Sequence, residues 1–535
     1  MQETEVVIVG AGPSGLVLAL ALAHRKVKPG LEQKLRNLIE QSEYARLRTR
    51  CRVQSQAQKN HEIEIYFETE HGTKEGIKSK YLVGADGKRG VVRKNFLEPY
   101  GIRQEVGLHE YCRKWIAANL RIRMPTPETH PQFELWELGY QPEELWDLFW
   151  PPHFHFCNHP TMPVAAGRFG PTNQKYWRFE YELTGMDVPE NLEGDLQAQV
   201  LPHITLPARS FRNNERLSVH SVTFPWDCVE IIRCQPALFV HKVVNKWFQD
   251  RTILIGDAAH VFPPFGAQGI SNGVRDAIGL SWRLSFLLAP TRVPQLKSEE
   301  LLHGWSQERR WGVDEGSILT MRNGDLMNNK SWLKSYGIWT AWRVLDFVPG
   351  LKSWIIYQLY SDLNGFRGVK NGFFLPESGG GGRIAQIWVE EQDESPNLSD
   401  RVLWQSNSVL TLLCLSDDVP ATETNEVNRL LDMKNLGSKI LSPQVEQIVA
   451  STRTQPSVKR PKSSRMKRYQ PCNVQMLNAA EIYLPQGYSE TAFARRFQRG
   501  TRYALMSPDM IVFSQASTLS QASAQLDKAV AMLGI

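Results

Sequence analysis

The sequence predicts an α/β protein in which one parallel-sheet domain is interrupted by a strand-rich segment and followed by a second α/β unit. Three observations predict it. The apolar β-branched run Val6-Val7-Ile8-Val9 leads straight into Gly10-Ala11-Gly12-Pro13-Ser14-Gly15 and the Ala/Leu-rich stretch Leu16 to Ala23. Two later apolar runs end in an acid beside a glycine: Tyr81-Leu82-Val83 before Gly84-Ala85-Asp86-Gly87, and Thr252-Ile253-Leu254-Ile255 before Gly256-Asp257. Between them Trp177, Phe179 and Tyr181 alternate with Arg178, Glu180 and Glu182, the period of a half-buried strand.

Length and composition bound the rest. The 535 residues, 42% of them hydrophobic, exceed what one core can use, so two or three domains are expected. A formal charge of +6 gives no footprint for a nucleic-acid binder. Aromatics at 10%, with 16 Trp, suit a pocket for flat, apolar matter. The 7 cysteines are scattered without a C-x-x-C pair, which fits a reducing compartment and argues against a disulfide framework or zinc ribbon. The N-terminus lacks the basic start of a signal peptide, Leu16 to Ala23 is too short to span a bilayer, and charges break the apolar stretch from Trp339 to Tyr360. A cytoplasmic protein without membrane or nucleic-acid partners is expected.

The first element is strand, glycine turn and helix. Gly10 permits the turn, Gly12 lets backbone approach a pyrophosphate, and Gly15 lets the helix pack on the strand, with the helix's positive end facing the phosphates. Pro13 and Ser14 open that helix. The motif serves NAD and FAD alike, and both expect an acidic ribose ligand about 20 residues on, at the end of a second strand. Here Arg25 to Gly30 is too short for a strand and runs into Leu31, Leu35, Leu38 and Ile39 at helical spacing. Glu32 stands at about the right count, but on a helix.

The strand Ile63-Ile65-Phe67 follows, then Asp86-Gly87 at the end of a buried strand. Asp257 ends another, before Ala258-Ala259-His260 and Pro263-Pro264-Phe265-Gly266-Ala267-Gln268-Gly269 and a helix carrying Asp276. Acids at the carboxyl ends of strands in an open α/β sheet face a ligand crevice. Asp257 could alternatively cap the following turn. His260 reads more readily as a packing or supporting residue than as a catalyst.

These motifs, in this order, resemble the class A FAD-dependent monooxygenases of the para-hydroxybenzoate hydroxylase and phenol hydroxylase family, with a flavour similar to fungal polyketide-tailoring hydroxylases. The resemblance covers about residues 4–24 and 31–375. It implies a discontinuous, Rossmann-like FAD domain (residues 1–94 and 250–378, the latter with a helical region) around an inserted β-sheet substrate domain (95–249). It also implies that Asp257 bonds the ribityl chain, that Asp86 lies near the pyrophosphate, and that Pro264 to Gly269 cradles the isoalloxazine. NADPH or NADH would reduce FAD, and O2 would become a flavin C4a-hydroperoxide that hydroxylates a phenolic, polyketide-type substrate. Such a phenol needs a base or proton relay; His241 and the tyrosines of the roof are the candidates. Without a W-x-W-x-I motif a halogenase is disfavoured, while a flavin dehydrogenase or a flavin-poor scaffold stays open as a rival.

The chain departs from the family in three ways. The second strand, its ribose acid and an arginine-bearing helix are missing, as if deleted at Lys28-Pro29. Gly90 stands where the family often has Ser, and Ala267 where it usually has Gly. Losing a core strand would exceed the ordinary ~5–15 kcal/mol of net stability unless something replaced it, so adenosine recognition is the part in doubt.

In the middle segment Phe133, Trp136, Tyr140, Trp146, Phe149 and Trp150 are expected in the core more often than in a pocket. His153, His155, Cys157 and His159 alternate, but four ligands along one strand, about 7 Å apart, cannot converge on one ion, so no metal is expected there. Gly379 to Gly382 reads as a flexible linker. Beyond it, residues 383–535 resemble the thioredoxin-like tail of phenol hydroxylase relatives: strands at Ile384 to Val389, Val409 to Leu415 and Ile511 to Phe513, and a helix through Ala522, Leu526, Ala529, Val530 and Leu533. Met510 stands where its Ser507-Pro508-Asp509 turn usually has Gly. Without C-x-x-C a structural or dimerising role is expected, and a homodimer is left open. The six basic residues of 459–468, in the basic loop 453–468, equal the whole net charge; they read as a solvated insertion, with a polyanion or nuclear-targeting segment as the alternative.

Overall fold

The computed structural model describes residues 2–23, 31–59, 61–159, 161–183, 187–289, 295–348, 350–352, 355, 365–391, 395–403, 408–416, 419–433, 440–448, 465–484 and 488–534. The β-branched run lies in β1 (Gln2–Val9), and the glycine turn leads from it into α1 (Pro13–Ala23). Next comes α2 (Leu31–Glu40), as the helical spacing predicts; it packs on α1 through Leu16, Leu35 and Ile39. Strands β2 (Arg52–Lys59), β3 (Glu62–Glu68) and β4 (Lys74–Gly84) form an antiparallel run, and β1 lies parallel to β4 with Val6 opposite Tyr81 and Val9 opposite Gly84.

That pairing leaves β1 on the outside. Among the described residues no strand joins its other edge. A β-branched strand in the middle of a parallel sheet is covered on both faces, yet Val6 to Val9 are only half-buried. The sheet therefore has the shape expected without a second strand. The join at Lys28-Pro29 and the side chain of Glu32 lie outside the described residues, while α2 supplies substitute burial for α1.

The inserted segment begins with β5 (Gln104–Val106) and β6 (Cys112–Ile122). Helix α3 (Pro142–Phe149) starts at a Gln141/Glu144 capping box with Pro142 at its first turn, where the missing N–H costs nothing. Strands β7 (Phe154–Asn158), β8 (Pro163–Phe169) and β9 (Tyr176–Glu182), helix α4 (Leu192–Val200), the β10 (Thr205–Pro207) and β11 (Ser221–Thr223) pair, and β12 (Val229–Val240) complete it. The antiparallel order is β12-β6-β9-β8-β7. One face packs the core that holds all six expected aromatics, from Phe133 to Trp150. The opposite face turns Trp115, Ala165 and Phe239 toward Phe265.

The chain returns through β13 (Lys242–Val244), β14 (Phe248–Gln249), β15 (Thr252–Leu254) and β16 (His260–Val261), with β15 parallel to the end of β4. Helices α5 (Gln268–Leu287), α6 (Gln295–Met327) and α7 (Trp332–Leu345) follow, and α5 packs between α1 and α6.

The tail contains β17 (Trp388–Glu391), β18 (Asn397–Leu398), α8 (Ser399–Leu403), β19 (Leu410–Cys414), α9 (Ala421–Met433), β20 (Leu441–Ile448), β21 (Met466–Pro471), α10 (Val474–Ala479), β22 (Tyr503–Met506), β23 (Val512–Ala516) and α11 (Leu519–Leu533). Its mixed sheet runs β18-β17-β21-β20-β19-β22-β23. The strand expected from Ile384 starts only at Trp388, and most of the basic loop lies outside the described residues. The Gly379 to Gly382 run is no flexible linker. Gly380 and Gly381 donate to the carbonyls of Leu375 and Val512, and Gly382 accepts from Val512. A Cβ on Gly380 would sit 2.3 Å from the Phe513 carbonyl oxygen. These residues are glycine because backbones meet there. One hydrophobic core runs from Trp282 and Phe286 of α5 to Leu526 and Leu533 of α11. All seven cysteines are free, and no described helix is long and apolar enough to cross a membrane.

Candidate functional site

The three sequence motifs meet at α1. A Cβ added to Gly10, whose φ is +114°, would lie 2.2 Å from the Ala85 carbonyl oxygen, so the first turn is seated against the Asp86 segment. Ser14 is wedged between Gly256 and Gly273: an added Cβ would come within 2.5 and 2.0 Å of its hydroxyl oxygen. The 10–15, 84–87 and 256–273 segments thus fit together through glycine, and only glycine allows contacts this close.

Other glycines of the same motifs face open space. A Cβ on Gly12, Gly87 or Gly269 would meet nothing within 4 Å. The Asp86 carboxylate folds over Gly90 and accepts the Val92 N–H at 3.0 Å through Oδ2, while Oδ1 is buried without a hydrogen bond. Burial pushes the Asp86 carboxyl up, against backbone N–H bonds that favour its charged form. Gly90 makes this fold possible; a Ser there would displace the carboxylate. Asp257 is exposed to solvent, although desolvation by the surrounding protein still pushes its pKa up against the pull of His260 and Lys88.

Asp276, on α5, supports this arrangement from below. Its Oδ2 accepts the Gly256 N–H at 2.8 Å and a His260 Nε2 bond at 2.7 Å, and Oδ1 accepts from Arg309 Nε at 2.6 Å. Burial alone would raise its pKa, but His260 and Arg309 outweigh it and hold the carboxyl at about 2. His260 is fully buried and acts as a positioning residue. Arg309 also bonds Asn272 Oδ1 at 2.9 Å. Sequence reading missed Arg309 because a charged residue on a long helix looks like solvated surface.

Pro264, Phe265, Gly266, Ala267, Gln268 and Gly269 form the loop that opens α5. Ala267 has φ +52°, the left-handed conformation that explains the family's glycine there. The Gln268 amide donates to the Gly266 carbonyl at 3.0 Å, and Asn323 donates to that of Phe265 at 2.9 Å. Above Phe265 stand Tyr111 and Trp115, with ring centroids at 5.6 and 5.4 Å. The Tyr111 hydroxyl accepts N–H bonds from Trp115 and Asn328, each at 3.2 Å, and burial pushes its pKa up to about 12. His241 is buried beside Phe262, its Nδ1 bonded to the His109 carbonyl at 2.9 Å and its Nε2 without a partner; burial lowers its pKa.

The residues fit FAD at the pyrophosphate and ring positions: open glycine backbone at Gly12 before the α1 N-terminus, and a helix N-terminus at Gln268. At the adenosine end no described strand lies beyond the outer edge of β1 to carry a ribose acid.

Fold and cradle together are those of an FAD-binding protein. The family described as an FAD binding domain matches residues 27–145 and 213–311. A 3-(3-hydroxy-phenyl)propionate/3-hydroxycinnamic acid hydroxylase of Escherichia coli is 23% identical over 314 residues, 58% of this chain and 46% of that protein. A probable NADH-specific resorcinol 4-hydroxylase of Rhodococcus jostii is 26% identical over 308 residues, 55% of this chain and 47% of that protein. The matched stretch thus spans just under half the length of these relatives. Among solved structures, the flavin-dependent monooxygenase PieE superposes with TM-score 0.61 at 15% identity, covering 99% of both chains. The anhydrotetracycline hydroxylase OxyS of Streptomyces rimosus does so with TM-score 0.58 at 16% identity, again covering 99% of both. The chain thus carries an FAD binding domain over residues 27–145 and 213–311 and shares the fold of these FAD-dependent enzymes.

Proposed function

We propose that the chain hydroxylates a phenolic, polyketide-type aromatic compound, consuming O2 and a nicotinamide dinucleotide. One observation carries the reading: Ser14 locks the 10–15 turn onto Gly256 and Gly273, so the three motifs form one cradle. Bound FAD supplies activation of O2 and transfer of one oxygen atom. Gly12 and the α1 N-terminus would take the pyrophosphate with Asp86 nearby, Asp257 would hold the ribityl chain, and the Pro264 to Gly269 backbone would hold the ring. Negative charge at the ring is favoured by the α5 N-terminus. Phe265, Trp115 and Phe239 make an apolar wall that excludes water and receives a flat substrate. Tyr111 spends both N–H contacts as an acceptor, which leaves its own proton to donate to a phenolic oxygen; at a pKa near 12 it is a donor and not a base.

The outer position of β1 favours a second reading, in which this chain holds FAD weakly and serves as a flavin-poor scaffold. One experiment separates the two. The purified chain is incubated with FAD, desalted, and assayed for flavin absorbance, for NADH and NADPH oxidation stimulated by phenols, and for product mass. Retained flavin and a product one oxygen heavier support the hydroxylase. Flavin lost on desalting supports the scaffold, and substrate oxidation without added oxygen points to a dehydrogenase.

A further inference from the structure

At the far end of the substrate domain, away from the cradle, three donors of different chemistry converge. His130 Nε2 lies 3.0 Å from Asp227 Oδ2 and 3.7 Å from Cys228 Sγ, and all three donor atoms lie within 4.8 Å of one another. None belongs to the 153–159 run. His130 comes from the loop after β6, and Asp227 and Cys228 come from the turn before β12.

We propose that His130, Asp227 and Cys228 form a zinc site. Nitrogen, carboxylate oxygen and thiolate are zinc's ligand set, and ordinary zinc bond lengths place tetrahedral ligands about 3.3 Å (N to O) and about 3.6 Å (N to S) apart. The two separations lie near these edges, and the Asp227 oxygen and Cys228 Sγ lie within 4.8 Å of each other.

The surroundings orient the imidazole. Thr129 Oγ1 sits 2.9 Å from His130 Nδ1 and donates its own proton to the Thr126 carbonyl at 3.2 Å. With that proton on the Thr126 carbonyl, Nδ1–H can donate to Thr129 and leave the Nε2 lone pair facing the carboxylate and the sulfur, the orientation a metal ligand needs. Cys228 is buried at 5% exposure, whereas the Asp227 side chain is 74% exposed, so the ion has a path from solvent and water completes the fourth position. On binding, the thiol proton leaves to solvent and a Zn–S bond forms, with no change of oxidation state.

The site would act as a clip. The Arg123 N–H donates to the Cys228 carbonyl at 2.9 Å, and the Trp136 indole donates to that of His130 at 2.7 Å. The segment so held carries Phe133, Leu135 and Leu138 into the aromatic core.

The test is equilibrium dialysis of the chelator-stripped full chain against Zn2+, with bound metal counted by atomic absorption, and a Co2+ difference spectrum against metal-free protein. One Zn2+ per chain and a thiolate-to-cobalt charge-transfer band are expected. Asp227→Asn, at an exposed position that leaves folding intact, should weaken zinc at least tenfold, as should His130→Gln; Cys234→Ser should change nothing. The proposal is overturned by absence of stoichiometric zinc, by cobalt binding without the thiolate band, or by unchanged zinc affinity in Asp227→Asn.

Discussion

Arg309 Nε lies 2.6 Å from Oδ1 of Asp276, both groups buried beneath the turn that begins at Gly256. Removing one partner of a buried ion pair strands the other, typically at about 3–5 kcal/mol. Asp276→Asn should therefore lower the urea midpoint sharply and loosen flavin, because the Gly256 N–H loses its anionic acceptor. The pH dependence has a definite sign. The folded carboxyl sits at about 2, below the unfolded value of ~3.9. Its stabilisation is complete above about pH 4 and fades as pH falls from there toward 2. Urea midpoints measured from pH 7 down to pH 3 should show this acid limb in the parent chain and a shallower one in Asp276→Asn.

Ser14 and Gly273 allow a double-mutant test of the cradle. A methyl group at 273 would meet the Ser14 hydroxyl at 2.0 Å. Gly273→Ala should cost about 1–3 kcal/mol by overpacking, and adding Ser14→Gly should recover most of it. Thermal unfolding of the two single variants and the double checks the coupling; additive losses would show that the two sites do not press on each other.

The local signals were legible in sequence: strand, glycine turn and helix at Val6 to Ala23, and acids at the ends of β4 and β15. The same glycines proved to be of two kinds, Gly10 and Gly273 pressing on protein and Gly12 and Gly269 facing open space. No sequence pattern separates these, because the difference lies in what another segment brings up to them. Arg309 pairs with an acid 33 residues away, and Tyr111 finds Asn328 only through the return of α6. Gly379 to Gly382 has a linker's composition, yet its neighbours turn it into buried scaffold.

Buried scaffold resists protease. Arg283, 1% exposed, pairs with Glu308 at 2.7 Å and approaches Asp509 of the tail turn at 3.5 Å. Because this contact and the shared core join the tail to α5 and α6, unfolding should show one transition and limited trypsin should spare the bond after Arg383. Arg283→Ala, which leaves the buried Glu308 unpaired, should bring cleavage there forward; early cleavage in the parent chain would restore the linker reading.

Tyr111 and His241 are separated by what each can offer. Tyr111→Phe removes a donor from the roof and should lower phenol-stimulated product formation about a hundredfold, the low end of the ordinary range for a positioned proton donor. Its loss should not shift the pH profile below pH 10, since the phenol is neutral there. His241 is committed to the His109 carbonyl and shielded by Phe262. His241→Gln should leave the pH profile in place, and loss of the acidic limb in that variant would make His241 the base.

Ala267 and Met510, the two positions where the family usually has Gly, both adopt positive φ, +52° and +64°. The left-handed region costs a side-chain-bearing residue roughly 1–2 kcal/mol, so glycine is the residue each backbone prefers. The two sites differ in what the side chain gives back. Ala267 is exposed, whereas Met510 is partly buried against the tail core of Ile384, Val512 and Phe493. Ala267→Gly should therefore raise stability by about 1 kcal/mol, seen as a higher urea midpoint at unchanged slope. It should also tighten FAD, because the backbone at the start of α5 can then approach the ring without a methyl in the way. Met510→Gly trades relief of strain against lost burial of a similar size and should sit near the parent. If Ala267→Gly destabilises instead, the positive φ is being held by the chain around it and not merely tolerated, and the loop from Pro264 to Gly269 is stiffer than its glycines suggest.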